Sequence, residues 1–498
     1  MKRTAVINVV GLTESLIGED TPKIRDFLRS GAKANVVPAF PAVTCTAQSN
    51  YLTGTKPSQH GIVGNGWYHR DLAEVQFWKQ SNHLVHGQKL WDELRALDPK
   101  FTCAKLFWWY NMYSTADYAI TPRPAYPADG RKVFDIYTQP GSIRWDIKND
   151  LGEFPFPTFW GPAAGIKTPQ GEPDACSRWI AESAKWIEER YHPTLSLVYL
   201  PHLDYNLQRH GPLNLAAEVS RRTASRAKLS RTVPQNAPTH VGGYELNPVI
   251  IPDLQAIDAI VGDLISFFEN RGAQIILLSE YGITNVNWPV HLNRLFREQG
   301  WLAIKEELGL ELLDYGASKA FAVADHQVAH IYLNDPSLES EVRGVLEETL
   351  GVEKILGKKE RIAAGIDHER AGDLIAIAKK NAWFTYYYWL DDALAPDFAR
   401  CVDIHRKPGY DPVELFLDPK IPLVKLKILR RLLQKKLGFR MLMDVVPLDA
   451  TLVKGSHGRI PGSAADFPIF ISSRRELVPN EQVESTDVYH LIKHHVIH

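Results

Sequence analysis

Short runs of apolar, often β-branched residues alternate along this chain with stretches of helical spacing, and that alternation constrains the fold more than any other feature. Ala5–Val10 and Leu195–Leu200 are strand-like, and Ala273–Leu278 is a third such run, ending at Ser279. Thr21–Gly31 and Leu254–Asn270 place their apolar residues with helical periodicity. Strands without polar alternation are buried on both faces, so helices must cover both sides of a mostly parallel sheet. The expectation is an α/β fold with such a sheet sandwiched by helices. In sheets of this kind ligands gather at the carboxyl ends of the strands, so the residues just after each run carry the most information.

Two stretches break the rhythm. Residues 213–247 are polar and basic (Arg221, Arg222, Arg226, Lys228, Arg231) and read as an inserted loop or flap. Residues 298–402 mix strand patterns with aromatic density, notably Trp383–Trp389, and read as a smaller cap-like subdomain. Residues 1–297 and 403–498 would then form the core. The aromatic run could stack on a base or ring, although burial in a subdomain core is its simpler use. Residues 421–438 form a basic amphipathic helix. Ordinary amphipathicity would pack its leucines on the core, and contact with an anionic membrane surface is the alternative.

Composition removes several classes. With 57 basic and 58 acidic residues the net charge is −1, which lacks the footprint of a protein that binds nucleic-acid polymers. An apolar content of 45% with 23% charged residues suits a folded globular chain. No run of about 18 apolar residues offers a transmembrane segment, and the run from Ala5 to Leu12 is read as a strand rather than a signal peptide. The four cysteines, Cys45, Cys103, Cys176 and Cys401, lie far apart without a CxxC pair, which favours reduced thiols in a cytoplasmic setting.

The most informative segment is residues 40–68, FPAVTCTAQSNYLTGTKPSQHGIVGNGWY. Thr44 follows an extended, Pro-containing stretch and precedes a helical pattern ending at Thr53-Gly54. A hydroxyl at a helix N-terminus can serve as a simple cap, or it can meet an anion where free N–H groups and the helix dipole favour negative charge. Further pieces follow in order: Asp204 after a strand with Gly211-Pro212 downstream, Ser279-Glu280-Tyr281-Gly282 after another, and Gly455-Ser456-His457-Gly458 near the C-terminus. With Phe40-Pro41, Pro57, His60-Gly61-Ile62 and Asn65, this ordered set resembles the type I phosphodiesterase/nucleotide pyrophosphatase family of the alkaline phosphatase superfamily.

The resemblance implies an alkaline phosphatase-like core and a two-metal site, usually zinc, that hydrolyses a phosphoester of a small molecule. By position Thr44 matches the nucleophile and Asn65 the side chain that holds a non-bridging phosphate oxygen. Asp204, Glu280 and His457 fall on metal-ligand positions, with one or two divalent ions, zinc or manganese, as the implied cofactor. Paired cations would lower the nucleophile's pKa and stabilise the attacking and leaving oxygens. Three positions depart from the pattern: Val10 replaces a carboxylate, Gln208 an imidazole and Tyr281 a second imidazole, while Glu280 stands for a shorter Asp.

Two clusters could make up the missing ligands. Asp325-His326 precedes the strand-like Ile331–Leu333, and Asp403/His405 follow Cys401. Each pairs a carboxylate with an imidazole, which intermediate metals accept; the competing reading for both is a surface loop. His202, close to Asp204, is a further possible ligand or an ordinary hydrogen-bonded histidine, and Arg209, Arg406, Lys407 and Arg459 could hold a phosphate. Two functions follow. One is a phosphodiesterase- or pyrophosphatase-type hydrolase with a threonine nucleophile. The other is a catalytically degenerate relative that binds a small molecule or a protein in the old cleft.

Overall fold

The computed structural model describes residues 1–129, 131–169, 171–214 and 245–498, so most of the expected flap at 213–247 lies outside the described residues. Thr4–Val9, all six residues buried, is the central strand. It pairs in parallel with Leu195–Leu200 on one side and Gln274–Leu278 on the other. Around these three the sheet extends to nine strands, in the spatial order Gln482–Glu484, Ala32–Val37, Ile469–Ser472, Gln274–Leu278, Thr4–Val9, Leu195–Leu200, Cys103–Leu106, Tyr118–Pro122 and Ile136–Gln139. Ile469–Ser472 and the edge strand Ile136–Gln139 run antiparallel to their neighbours.

Helices flank this sheet in two groups. Pro22–Ser30, Ala175–Tyr191 and Ile251–Glu269 pack on one another, and Thr44–Thr53 packs on Asp487–Ile497. The α/β sandwich expected from the alternating pattern is therefore present, with the anticipated elements displaced by at most three residues at their ends. Register then places the site. Val9 pairs with Leu200, and Asn8 pairs with both Tyr199 and Leu278, so the segments leading to Asp204 and to Glu280 leave the sheet side by side.

Within 298–402 a second, wholly antiparallel sheet joins Ala320–Asp325, Val328–Leu333, Leu374–Ala378 and Val352–Leu356. Its first two strands form a tight hairpin whose turn residue His326 takes a left-handed conformation, φ 61°. The Trp383–Trp389 run is buried throughout, as packing demands of seven consecutive large or β-branched side chains. One expectation fails. The helix Val424–Lys436 buries none of its residues, so its leucines do not pack on the core.

His330 fastens this second sheet to the segment that follows the Thr44 helix. Its Nε2–H donates to the Val63 carbonyl at 3.0 Å, and its Nδ1 accepts from the Gly372 N–H at 3.0 Å. Burial pulls the imidazole down to about 4, so the folded protein keeps it neutral where an unfolded chain would protonate it. The unfolded state then binds the extra proton between about pH 6.5 and pH 4, and stability falls as pH drops through that window. His330→Gln, which keeps a donor and an acceptor but cannot titrate, should flatten the fall of the melting temperature between pH 7 and pH 4.5. An unaltered pH slope would show that the imidazole does not contribute.

Candidate active site

Thr44 is the first residue of the helix Thr44–Thr53, whose ten residues are all buried. Val43 before it is extended, and Gly54 ends the helix in the left-handed region at φ 65°, where a Cβ would be strained. Ala42 pairs with Gly458, which brings the His457 loop beside the start of this helix.

The hydroxyl of Thr44 lies 3.2 Å from Tyr281 Oη. Tyr281 donates in turn to Asp204 Oδ1 at 3.3 Å. The other carboxylate oxygen accepts from Gln208 Nε2 at 2.9 Å, and the Gln208 amide meets Tyr410 Oη. Burial drives the Asp204 carboxyl up to about 7 against the pull of these two donors. Glu280 sits in a similar cradle. Its Oε1 accepts from Asn8 Nδ2 at 2.6 Å and Gln48 Nε2 at 2.5 Å, and burial pushes the carboxyl up to about 8. Both acids are surrounded by neutral donors, and among the described residues no cation offsets their desolvation.

Asn65 is oriented from both ends. Its Oδ1 accepts from the Cys45 N–H at 3.1 Å, and its Nδ2 and backbone N–H donate to the two oxygens of Asp325 at 3.1 and 2.8 Å. Asp325 also takes the Nδ1–H of His326 at 2.8 Å. The hairpin tip thus reaches the Thr44 helix across more than 250 positions of sequence. Four rings then stack in file: Tyr281 on His457 with centroids 3.7 Å apart, His457 against His326 at 3.6 Å, and His326 on Tyr410 at 3.7 Å. The structure therefore brings Thr44, Asn65, Asp204, Glu280, Asp325, His326 and His457 to one place.

Other candidates go elsewhere. His405 bonds the Phe77 carbonyl, and the Asp403 backbone bonds Glu414. His202 is buried with Nε2 3.0 Å from Asp253 Oδ1, and neither ring nitrogen makes a hydrogen bond among the described residues. Arg209 is spent on the Leu415 and Ala164 carbonyls, Lys407 on Asp411 and Glu414, Arg406 on Asp397, and Arg459 on Glu353. Tyr410, Gln48 and Asn8 belong to the network yet escaped sequence reading. Asn8 alone carried a signal, as the polar break in the first apolar run.

The implied metals can be tested against these donors. His326 and His457 each anchor Nδ1, on Asp325 and on the Ala42 carbonyl, and each leaves a buried Nε2 without a partner. That is how a metal-binding imidazole is held. The carboxylates tell against it. Both Asp204 oxygens and one Glu280 oxygen are already hydrogen-bonded, Glu280 Oε2 alone being buried without a partner, and among the described residues no three His, Cys, Asp or Glu side chains converge on one point. Structural or catalytic zinc needs three or four such ligands. A two-cation set does not fit these residues.

The family's sequence profile, described as type I phosphodiesterase/nucleotide pyrophosphatase, matches residues 4–411. The chain belongs to that family. Its membership supports reading the chain as a hydrolase. A search of the curated proteins finds no match. Among solved structures, murine ectonucleotide pyrophosphatase/phosphodiesterase 5 superposes with a TM-score of 0.54 at 13% identity, over 100% of this chain and 95% of that one. Phosphonoacetate hydrolase from Sinorhizobium meliloti 1021, in complex with phosphonoformate, gives 0.57 at 12% identity, with the same coverage. At such identities the likeness concerns the fold. The mostly parallel sheet flanked by helices is common to the group.

Family members are metal-dependent, so the altered donor set has a measurable consequence. Protein incubated with zinc and freed of unbound metal should retain well under one equivalent by elemental analysis. Retention of about two equivalents would show that the side chains rearrange into a two-cation site.

Proposed function

We propose that this site hydrolyses a phosphoester of a small molecule, of phosphodiester or pyrophosphate type, with Thr44 as the nucleophile. The observation that carries the reading is the placement of the Thr44 hydroxyl: at the N-terminus of a fully buried helix, held by Tyr281, with Asn65 fixed beside it. In the attack Thr44 Oγ1 forms a bond to phosphorus as the ester P–O bond breaks, and water then releases the phosphoryl group from the threonine. The Thr44 proton passes to Tyr281 Oη as that phenol hands its own proton to Asp204, and the leaving oxygen departs with the electron pair of the broken P–O bond. One Asn65 amide hydrogen goes to Asp325, and the second is the donor for a non-bridging phosphate oxygen. The positive end of the helix favours the charge that builds there. Asp325 acts by orienting Asn65 and His326, and Glu280 by holding Gln48 and Asn8.

The class of substrate draws support from structural neighbours. Murine ectonucleotide pyrophosphatase/phosphodiesterase 5 has been captured in an inactive form with AMP, and the bacterial hydrolase with phosphonoacetate. The reading extends that ligand class, a nucleotide-like phosphoester, to this chain. The four cysteines are free, which supports the cytoplasmic setting that belongs to this reading.

The test is turnover of an aryl phosphodiester. Thr44→Ala should lower kcat by about three orders of magnitude or more, Thr44→Ser should keep part of it, and both should melt like the parent. Tyr281→Phe should lower kcat more than it changes KM, on the order of tenfold or more. Unchanged activity in Thr44→Ala removes the threonine from the reaction. The replaced ligands Val10, Gln208 and Tyr281 favour one rival, a binder without turnover, and a parent protein that binds nucleotide yet hydrolyses nothing would establish it.

A further inference from the structure

The helix Val424–Lys436 is an amphipathic element that the fold leaves unpartnered. Leu423, Leu426, Leu429, Leu433 and Leu437 are 76, 60, 63, 55 and 65% exposed, where leucines of a globular helix are ordinarily covered. At 3.6 residues per turn, Leu426, Leu429, Leu433 and Leu437 fall on one stripe. Lys425 and Lys436 border that stripe on one side and Arg430 on the other. The helix carries six basic residues and no acidic one. The opposite side is fastened to the protein: Lys427 and Arg431 pair with Asp444 at 2.8 and 3.0 Å, and Lys435 lies over the Phe134 ring. Lys425, Arg430 and Lys436 have no carboxylate partner among the described residues. Phe439 and Leu442, 65 and 42% exposed, continue the apolar surface beyond the helix end.

We propose that this face seats the protein on an anionic lipid bilayer, leucines at the acyl boundary and flanking cations on the headgroup phosphates. Charge complementarity decides the occupant. A leucine stripe flanked by the unpaired cations Lys425 and Lys436 on one side and Arg430 on the other matches a layer of apolar chains beneath a layer of anionic groups. No helix of the described residues is long and apolar enough to cross a membrane, so the contact is peripheral. It is independent of the chemistry proposed for Thr44.

Flotation of the full chain with vesicles tests it. The protein should rise with phosphatidylcholine vesicles containing about a third phosphatidylglycerol, stay behind with pure phosphatidylcholine, and detach as salt is raised. L429E/L433E and K425E/R430E/K436E change exposed side chains only, and each should cut the retained fraction on the order of tenfold or more without altering turnover of a soluble aryl phosphodiester. Absence of parent protein from the anionic fraction overturns the proposal, as does retention that the variants leave unchanged. A parent dimer that L429E/L433E converts to monomer would assign the face to a second copy and overturn it equally.

Discussion

The buried carboxylate of Asp204 is the constraint around which this site is organised. An unpaired carboxylate without water is costly, and here two neutral donors, Tyr281 and Gln208, hold its two oxygens. Those donors are the ends of a longer chain of contacts. Tyr281 stacks on His457, His457 meets His326, His326 stacks on Tyr410, and Tyr410 returns through Gln208 to the same carboxylate. The loop closes across five separate stretches of chain. It joins the nine-stranded sheet, the hairpin of the second sheet and the His457 loop into one body, and it leaves the Thr44 hydroxyl at the rim, on Tyr281.

Much of this architecture is legible in the sequence because it rests on local pattern. Apolar runs without alternation mean strands buried on both faces, and Leu195–Leu200 emerges with those bounds. Gly54 ends the Thr44 helix because a left-handed glycine is what that end accepts, whereas Val43 is the N-cap and the Thr44 hydroxyl caps nothing but meets Tyr281. Asp204 and Glu280 follow strands, and parallel register alone brings their segments together.

What resists sequence reading is tertiary. Nothing in the neighbourhood of Tyr410 marks it as the partner of a residue some 200 positions earlier. The hairpin at His326 declares two adjacent strands but not which surface its tip will strike. The helix at Val424–Lys436 shows the reverse limit. Its periodicity is plain, yet periodicity identifies an apolar face without saying what covers it, and no described residue covers this one.

The departures from the family pattern also form a coherent set. The resemblance implies imidazoles where Tyr281 and Gln208 stand, and a buried carboxylate left with no partner there would be costly. Both replacements instead bring a neutral hydrogen-bond donor to that carboxylate. Glu280 follows the same logic, its longer side chain reaching the amides of Asn8 and Gln48. Breaking a buried charge pair from one side is strongly destabilising, whereas exchanging a cation for hydrogen-bond donors on the same carboxylate keeps it satisfied. Tyr281 meets a second requirement at once, since the phenol that satisfies Asp204 is also the group that holds Thr44. Neutral donors on both oxygens of Asp204 and on one oxygen of Glu280, with Thr44 at its helix terminus held by Tyr281, make one connected network.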